Sequence, residues 1–293
     1  MFRLVKFKRT PVVIAALLIL TAFYSVCHLS TYDDNAVYTT APAKTDSVDI
    51  PIIMYHAVSN AASIQGDYVI SPEEFEEDLK YLAEHKYNTV FVSDLVDYVN
   101  GSGSLPENPI VLSFDDGYYN NYLYVYPLLQ KYNCKAIISP IAYFSELYTE
   151  NGEVNEQYTH CTWAQLEEMH ESGYVEIGNH TYNMHSYGNG RNGIGQMCGE
   201  DTETYKAAIK GDIEQAQNLL TDRINVTCDV FAYPFGIWCD SSLEVLKDMN
   251  FKAVLTIESG INHLTKGSTE DLYTLKRLIR PHGRGLDEIM NQE

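Results

Sequence analysis

The stretch NPIVLSFDDG, residues 108–117, joins an apolar run to two adjacent aspartates and a glycine. The apolar run predicts a buried strand, with Asp115 and Asp116 at its carboxyl end. Adjacent carboxylates repel each other and are costly to bury, so they lie either in a solvated turn or beside a positive group. Gly117 allows a sharp turn, which would let both side chains face one cleft. This strand end is therefore the first candidate for a functional site.

Strand-like and helix-like segments alternate through residues 50–293. The apolar run IPIIMYHAV at 50–58 predicts a strand. The segment at 71–85 predicts a helix with Ser71 as N-cap and Glu74 as the capping-box acid. The segment 202–224 predicts a long helix. This alternation is typical of parallel strands wrapped by helices, either as a barrel or as an open sheet.

The N-terminus differs from the rest of the chain. Residues 1–10 carry four basic side chains and no acidic one, and residues 11–27 are uncharged. This pattern predicts a membrane segment over residues 1–29, either an uncleaved signal anchor or a cleaved signal peptide. Residues 30–49 read as a linker. We expect residues 50–293 to form the working domain outside the cytoplasm, membrane-anchored or secreted.

Composition and net charge limit the classes of partner, fold and metal site that this chain can have. The net charge of −20 argues against nucleic acid, whose backbone attracts a basic surface. A 45% hydrophobic content suits a globular fold with a substantial core. No CxxC pair occurs among the six cysteines, so a thiolate zinc site is not expected, and the sequence leaves disulfide pairing open.

Polar residues follow several predicted strands, where α/β folds place their sites. Besides the two aspartates, His180 and His185 follow the strand-like run YVEIGN. Two histidines and one carboxylate form a ligand set that suits Zn²⁺ or another divalent transition metal. One aspartate would then bind the metal, and its neighbour would accept a proton from the attacking water. His160, His170 and His263 are expected on solvated surfaces.

The motifs SFDDG and HTYNMH resemble the first two motifs of the polysaccharide deacetylases, the family 4 carbohydrate esterases with a NodB homology domain. The stretches IIMYHAV, SPEEF, TWAQLEEM and AYPFG resemble bacterial members, and the motif spacing is closest to deacetylases of exopolysaccharide or peptidoglycan N-acetylglucosamine. The resemblance spans roughly residues 50–282. It implies an α/β fold, a distorted (β/α) barrel, and metal-dependent removal of acetyl groups from N-acetylated sugars.

Carried over by position, the resemblance makes Asp115 the general base and Asp116, His180 and His185 the metal ligands. The backbone N–H of Phe235 would help to hold the oxyanion. His282 would be the general acid, although the usual Leu-x-His motif reads LIRPHG here. Tyr233 and Trp238 would contact the sugar.

Two departures from the family pattern carry further predictions. The second motif usually spaces its histidines four apart, but here Met184 holds that position and His185 follows it. His56, after the first strand, is the substitute ligand if His185 is not one. The arginine that usually tethers the base is replaced by Ala232, and we expect Arg280 to take its place.

Strand alternation supports the choice of Arg280, because Lys276, Leu278 and Arg280 share one face of an extended TLKRLIRPH, and His282 would join it. The alternative is a surface arginine paired with Asp287 or Glu288.

The expected substrate is an acetylated polysaccharide, either peptidoglycan or a secreted polymer of N-acetylglucosamine. Two other functions stay open. One is an esterase that removes O-acetyl groups from xylan or another glycan. The other is an inactive glycan-binding relative, which the missing arginine suggests.

Overall fold

The computed structural model describes residues 47–188 and 190–291. The predicted membrane segment at residues 1–29 and most of the predicted linker lie outside these ranges. The strands are β1 Ser47–Ile50, β2 Ile52–Tyr55, β3 Ala57–Val58, β4 Val69–Ile70, β5 Asn88–Thr89, β6 Pro109–Asp116, β7 Ala136–Pro140, β8 Val175–Ile177, β9 Tyr187–Gly188, β10 Arg191–Asn192, β11 Val230–Ala232, β12 Ala253–Leu255, β13 Asn262–Thr265 and β14 Leu278–Ile279. The α-helices are α1 Pro72–Glu84, α2 Val92–Val99, α3 Tyr126–Tyr132, α4 Ala142–Asn151, α5 Trp163–Glu171, α6 Thr202–Ile224, α7 Asp240–Asp248 and α8 Leu286–Met290.

Parallel strand pairs follow one another around the centre of the fold. One sheet has the order β14-β2-β6-β7-β8, and β5 also pairs with β6. A parallel bridge from Asn179 to Phe231 joins the end of β8 to β11, and β11 pairs with β12. A second bridge, Leu255 to Leu275, leads from β12 to the segment that enters β14. The prediction of an α/β fold with parallel strands is confirmed.

Alternate residues of the same strands enter two different layers of the core. Ile53 and Leu112 pack with the helices, in a cluster that includes Leu79 of α1. Ile52 and Val111 belong to a second cluster together with residues of β11 and β12. This two-layer arrangement follows from the period of two along a strand. It also brings the carboxyl ends of the parallel strands to one end of the molecule.

The helix signals in the sequence are confirmed where they are strongest. Ser71 Oγ accepts from the Glu74 N–H at 3.1 Å, and Glu74 Oε2 accepts from the Ser71 N–H at 2.8 Å, which closes the capping box of α1. Helix α6 spans residues 202–224, as predicted. Residues 120–132, NNYLYVYPLLQKY, form a π-helical turn, Asn121–Val125, followed by α3, and Pro127 lies in the first turn of α3.

The domain begins slightly earlier than predicted. Residues 47–49, assigned to the linker, form strand β1 with Ile50 and pair antiparallel with β13. Across residues 47–188 and 190–291, no helix is long and apolar enough to cross a membrane. The five cysteines of these ranges are free thiols.

Candidate metal centre and active site

Asp116, His180 and His185 meet at the carboxyl ends of the parallel strands. Asp116 ends β6, and both histidines follow β8. One ligand atom from each residue lies within 4.8 Å of the others. His180 Nε2 lies 3.5 Å and His185 Nε2 3.3 Å from Asp116 Oδ1. The longer spacing of the histidine motif thus still brings both imidazoles to one carboxylate.

The chemistry of this group fits a divalent cation. Asp116 Oδ1 is buried and has no hydrogen-bond partner within the described ranges, and the two imidazole Nε2 atoms are directed toward it. His180 Nδ1 lies 2.8 Å from the carbonyl oxygen of Ala232, an arrangement in which Nδ1 carries the proton and Nε2 keeps its lone pair. A carbonyl that orients a ligating histidine in this way is a common feature of metal sites.

Electrostatics keeps two of the three ligands in the form that a metal requires. Burial raises the pKa of Asp116, but the neighbouring histidines outweigh it and hold that pKa below its usual range. Burial lowers the pKa of His185 to about 4, and the charge of His180 acts in the same direction. An ionised carboxylate and a neutral imidazole are the ligating species.

Asp115, the first aspartate of the pair, is held by a different residue from the one predicted. Arg277 donates two parallel hydrogen bonds to the Asp115 carboxylate, from Nη1 to Oδ1 at 2.7 Å and from Nη2 to Oδ2 at 2.8 Å. Arg277 is itself 1% exposed, and its Nε donates to the carbonyl of Thr256 at 2.7 Å. Burial raises the pKa of Asp115, but Arg277 together with the neighbouring His180 and His56 outweighs burial and lowers that pKa below its ordinary value. The carboxylate therefore stays ionised.

The prediction that Arg280 tethers Asp115 is wrong. Arg280 is buried on the opposite face of the last strand, where its Nε lies 2.9 Å from Asp78 Oδ2 on α1. The alternative pairing with Asp287 or Glu288 is also wrong. Side chains do alternate between the two faces of this segment, as expected. The face directed to the site carries Arg277 and Ile279, however, and not Lys276, Leu278 and Arg280.

His282 does not reach the metal centre either. The backbone N–H of His282 donates to the carbonyl of Gly66 at 2.9 Å, which directs the chain away from the cleft after Pro281. Its Nδ1 lies 2.7 Å from Glu74 Oε2, and its side chain is 44% exposed. The assignment of His282 as general acid is therefore corrected: the residue contacts the start of α1.

A cavity of about 650 Å³ opens over the two aspartates. His56 lies at its wall, with Nε2 4.0 Å from Asp115 Oδ2. Its Nδ1 is buried and unpartnered within the described ranges. Burial lowers the pKa of His56, and the charges of Asp115 and Asp116 partly offset this. His56 is thus placed beside Asp115 and outside the group of Asp116, His180 and His185.

Of the two predicted sugar contacts, Tyr233 lines the cavity and Trp238 is not among its lining residues; Phe235, predicted to hold the oxyanion, also lines it. Trp238 packs behind the wall instead, with its ring stacked 6.1 Å from that of Tyr233.

Three non-glycine residues at the centre have left-handed backbone conformations: Asp116 with φ 69°, Thr181 with φ 73° and Phe235 with φ 55°. Such conformations are unfavourable for side chains with a Cβ and persist only where the surroundings impose them. Gly117 follows with φ 70°, and a Cβ there would lie 2.7 Å from that of Pro140. The sharp turn predicted at Gly117 is therefore confirmed, and the turn already begins at Asp116.

His160 is also placed differently from its prediction. It is buried, and its ring stacks between those of Tyr118 at 4.6 Å and Phe144 at 4.4 Å. Burial lowers its pKa to about 4. His170 and His263 are exposed, as expected.

Exposed tyrosines stand at the mouth of the cavity. The ring of Tyr68 contacts that of His56 at 4.8 Å, and Tyr68 is 56% exposed. A second stack runs from His185 to Phe235 at 4.2 Å and on to Tyr187 at 4.1 Å, where Tyr187 is 69% exposed. Both tyrosines line the cavity.

Sequence reasoning missed Arg277, Tyr68 and Tyr187. A signal existed for Arg277, since alternation offers two faces of the last strand and Arg277 lies on the one that was not chosen. No comparable signal marks Tyr68 and Tyr187 among the 23 tyrosines of the chain.

Parallel strands that carry an Asp-His-His group beside a second, arginine-bound aspartate define an α/β protein with a hydrolase-type site. Comparison with known families agrees: the polysaccharide deacetylase family matches residues 102–254, more than half of the chain. This protein belongs to the polysaccharide deacetylase family, a family of hydrolases.

The individual relatives have low sequence identity to this chain, but each match covers most of it. The poly-beta-1,6-N-acetyl-D-glucosamine N-deacetylase of Escherichia coli K12 is 26% identical over 259 residues, covering 82% of this chain and 38% of that protein. The chain thus spans well under half of that relative. The enzyme of the same name from Staphylococcus aureus MRSA252 is 26% identical over 196 residues, covering 66% of this chain and 62% of that protein. The solved structure of a de-N-acetylase from Aggregatibacter actinomycetemcomitans shares the fold, with a TM-score of 0.70 at 24% identity over 83% of this chain and 99% of that one.

Proposed function

We propose that this protein is a metal-dependent hydrolase that removes N-acetyl groups from a polysaccharide containing N-acetylglucosamine. The observation that carries the proposal is the arrangement of the two aspartates. Asp116 faces two imidazoles, and Asp115 is held ionised by Arg277 in the same cavity. An ionised base beside a metal-ligand group is what hydrolysis of an unactivated amide requires.

Asp116, His180 and His185 would hold the metal, and their nitrogen and oxygen donors suit Zn²⁺ or another divalent transition metal. A divalent ion held there would acidify water and polarise a carbonyl oxygen. Three protein ligands leave room for both tasks, as in other catalytic centres of this kind.

The remaining roles fall to residues around this group. Asp115 would accept the proton of the attacking water. The proton that Asp115 takes from the water would pass to His56, whose Nε2 lies 4.0 Å from Asp115 Oδ2, and from His56 to the departing amine, in place of His282. The backbone N–H of Phe235, in a turn that lines the cavity, would stabilise the oxyanion. Water and acetamide would thus yield acetate and the free amine.

The mouth of the cavity suits a polymer. Exposed aromatic rings bind the apolar faces of pyranose rings, and Tyr68 and Tyr187 offer such rings beside the reacting centre. We expect neighbouring sugars of one chain to rest on them. The two curated relatives carry the name of a poly-beta-1,6-N-acetylglucosamine deacetylase, so this exopolysaccharide is the first substrate to test, with peptidoglycan as the second.

Such polymers lie outside the cytoplasm, which agrees with the basic and apolar N-terminus. The proposed location is therefore extracytoplasmic, either secreted or attached to the membrane through residues 1–29.

The decisive experiment measures acetate and free amine released by the metal-loaded protein. The substrates are β-1,6-linked N-acetylglucosamine oligomers, peptidoglycan and acetylated xylan, and Asp115→Asn is the inactive control. We expect release of both products from an N-acetylglucosamine polymer. Acetate released from xylan alone would replace the proposal with the O-acetyl esterase. The alternative of an inactive glycan-binding relative was based on the missing motif arginine. Because Arg277 supplies a guanidinium to Asp115, this argument for inactivity no longer applies.

A further inference from the structure

The loop between the two histidines, residues 181–184, contains one residue more than the usual family motif. A longer loop has more conformations available, so placing His185 against Asp116 requires that the loop be held. The question is which residues hold it.

The inner part of the loop is fixed by its immediate surroundings. Thr181 has φ 73°, an unfavourable conformation for a β-branched residue. Its N–H donates to Asn179 Oδ1 at 2.8 Å, and its carbonyl accepts from the Ala142 N–H at 3.1 Å. The carbonyl of Tyr182 likewise accepts from the Tyr143 N–H at 2.9 Å, so the start of α4 holds the two carbonyls of this part of the loop.

The backbone N–H groups of Tyr182 and Asn183 donate to one side chain on a distant helix. Asp212, in the middle of α6, receives one hydrogen bond on each carboxylate oxygen. Its Oδ1 accepts from the Tyr182 N–H at 2.8 Å, and its Oδ2 accepts from the Asn183 N–H at 3.0 Å. Burial raises the pKa of Asp212, and the N–H groups of Asn183, Tyr182 and Met184 offset part of this rise. An aspartate is unfavourable within a helix, so helix propensity does not account for its position.

We infer that Asp212 is a positioning residue for the metal centre: it clamps the backbone of residues 182–184 and thereby sets His185 Nε2 at 3.3 Å from Asp116 Oδ1. The inference rests on the proposed function in one respect, namely that His185 is a metal ligand. Helix α6 supplies none of the proposed ligands, but through Asp212 it would hold the longer loop so that His185 can reach the metal position.

The test is the Co²⁺ affinity of the protein after chelator stripping, read from the visible absorption of the bound ion. Asp212→Ala leaves two backbone N–H groups without their acceptor, and we expect its dissociation constant to rise about 10- to 100-fold, as for other partners of metal ligands. Asp212→Asn keeps one acceptor oxygen and should show a smaller rise. The matched control is Glu214→Gln, an exposed residue of the same helix, which should bind Co²⁺ as the wild type does.

Two measurements separate positioning from a merely structural role. The absorption spectrum of bound Co²⁺ should change in Asp212→Asn, because the ligand geometry changes, whereas general destabilisation would lower only the melting temperature of the metal-free protein. Hydrogen exchange of the Tyr182 and Asn183 amides should be slow in the wild type, a readout that needs no variant.

Wild-type Co²⁺ affinity and spectrum in the Asp212 variants would overturn the inference, as would rapid exchange of these two amides in the wild type. Wild-type protein that binds no Co²⁺ would refute the metal centre, and with it the proposed function. Wild-type protein that binds Co²⁺ but releases no acetate would refute only the proposed function.

Discussion

Arg277 and Arg280 provide a matched pair of substitutions that separates catalysis from stability. Both are buried arginines near the last strand, and each contacts one buried aspartate. Arg277 holds Asp115 in the cavity, whereas Arg280 holds Asp78 against α1. Methionine replaces either side chain with similar length and no charge, so the two variants differ mainly in which carboxylate is released.

The stability loss should be similar in the two variants. Removing one partner of a buried ion pair costs about 3–5 kcal/mol, because a charge is left without compensation. For a domain of this size, each kcal/mol lowers the melting temperature by about 2–4 °C. Burial raises the pKa of Asp78 to about 6 even with Arg280 beside it. Because a raised carboxyl pKa favours the folded state at low pH, the loss in Arg280→Met should be smaller in acid, where Asp78 takes up a proton.

Turnover should separate the variants. A correctly oriented, ionised base contributes about 10² to 10⁴ in rate, and we expect Arg277→Met to lose on the order of 10². Burial raises the pKa of Asp115 and Arg277 lowers it, so without the guanidinium this pKa rises. The acidic limb of the pH–rate profile should therefore move to higher pH. Arg280→Met should keep wild-type turnover per folded molecule and a wild-type pH profile.

The assay is acetate release by metal-loaded protein across the pH range, well below the melting temperature of each variant. Arg277→Lys is an additional control, since it keeps the charge without the two parallel hydrogen bonds, and it should recover part of the activity. Equal turnover and equal pH profiles for Arg277→Met and Arg280→Met would refute the reasoning, because the contact with Asp115 would then have no catalytic consequence.

The remaining predictions concern the ligands, the base and the proton donor. His180→Ala and His185→Ala should each lose stoichiometric metal, measured by elemental analysis, since three protein ligands leave no redundancy; full metal content in His185→Ala would exclude it as a ligand. Asp115→Asn should keep the metal and lose at least about 10² in turnover, whereas simultaneous loss of metal would mean that the roles of the two aspartates are exchanged. His56→Gln should lower turnover with metal retained, and His282→Gln should leave turnover unchanged; the reverse result would restore His282 as the general acid.

The sequence predicted the fold well wherever local signals were strong. The capping box at Ser71 and Glu74, the limits of the helix at 202–224 and the turn at Gly117 all depend on residues close together in the chain. The early start of β1 was missed because its partner strand, β13, lies more than 200 residues away. A pairing of that kind leaves no local pattern to read.

The part of the candidate site that the sequence predicted also depends on the local position of its residues in the chain. Asp115 and Asp116 lie at the carboxyl end of β6, and His180 and His185 lie in the segment that follows β8, where parallel topology gathers side chains. The errors at Arg280 and His282 share one cause. His282 was taken to face the cleft, and this choice fixed the wrong face of the last strand, since side chains two apart point the same way.

The replacement of the motif arginine has a simple spatial explanation. Ala232 ends β11, and β12 lies between β11 and the segment that enters β14. Arg277 therefore reaches Asp115 from a strand further along the same series of parallel strands. What the base requires is a guanidinium within hydrogen-bonding distance, and any strand that ends at the cavity can supply it. Position 232 still contributes to the site through its backbone, because the Ala232 carbonyl lies 2.8 Å from His180 Nδ1 and orients that imidazole with Nε2 toward the proposed metal position.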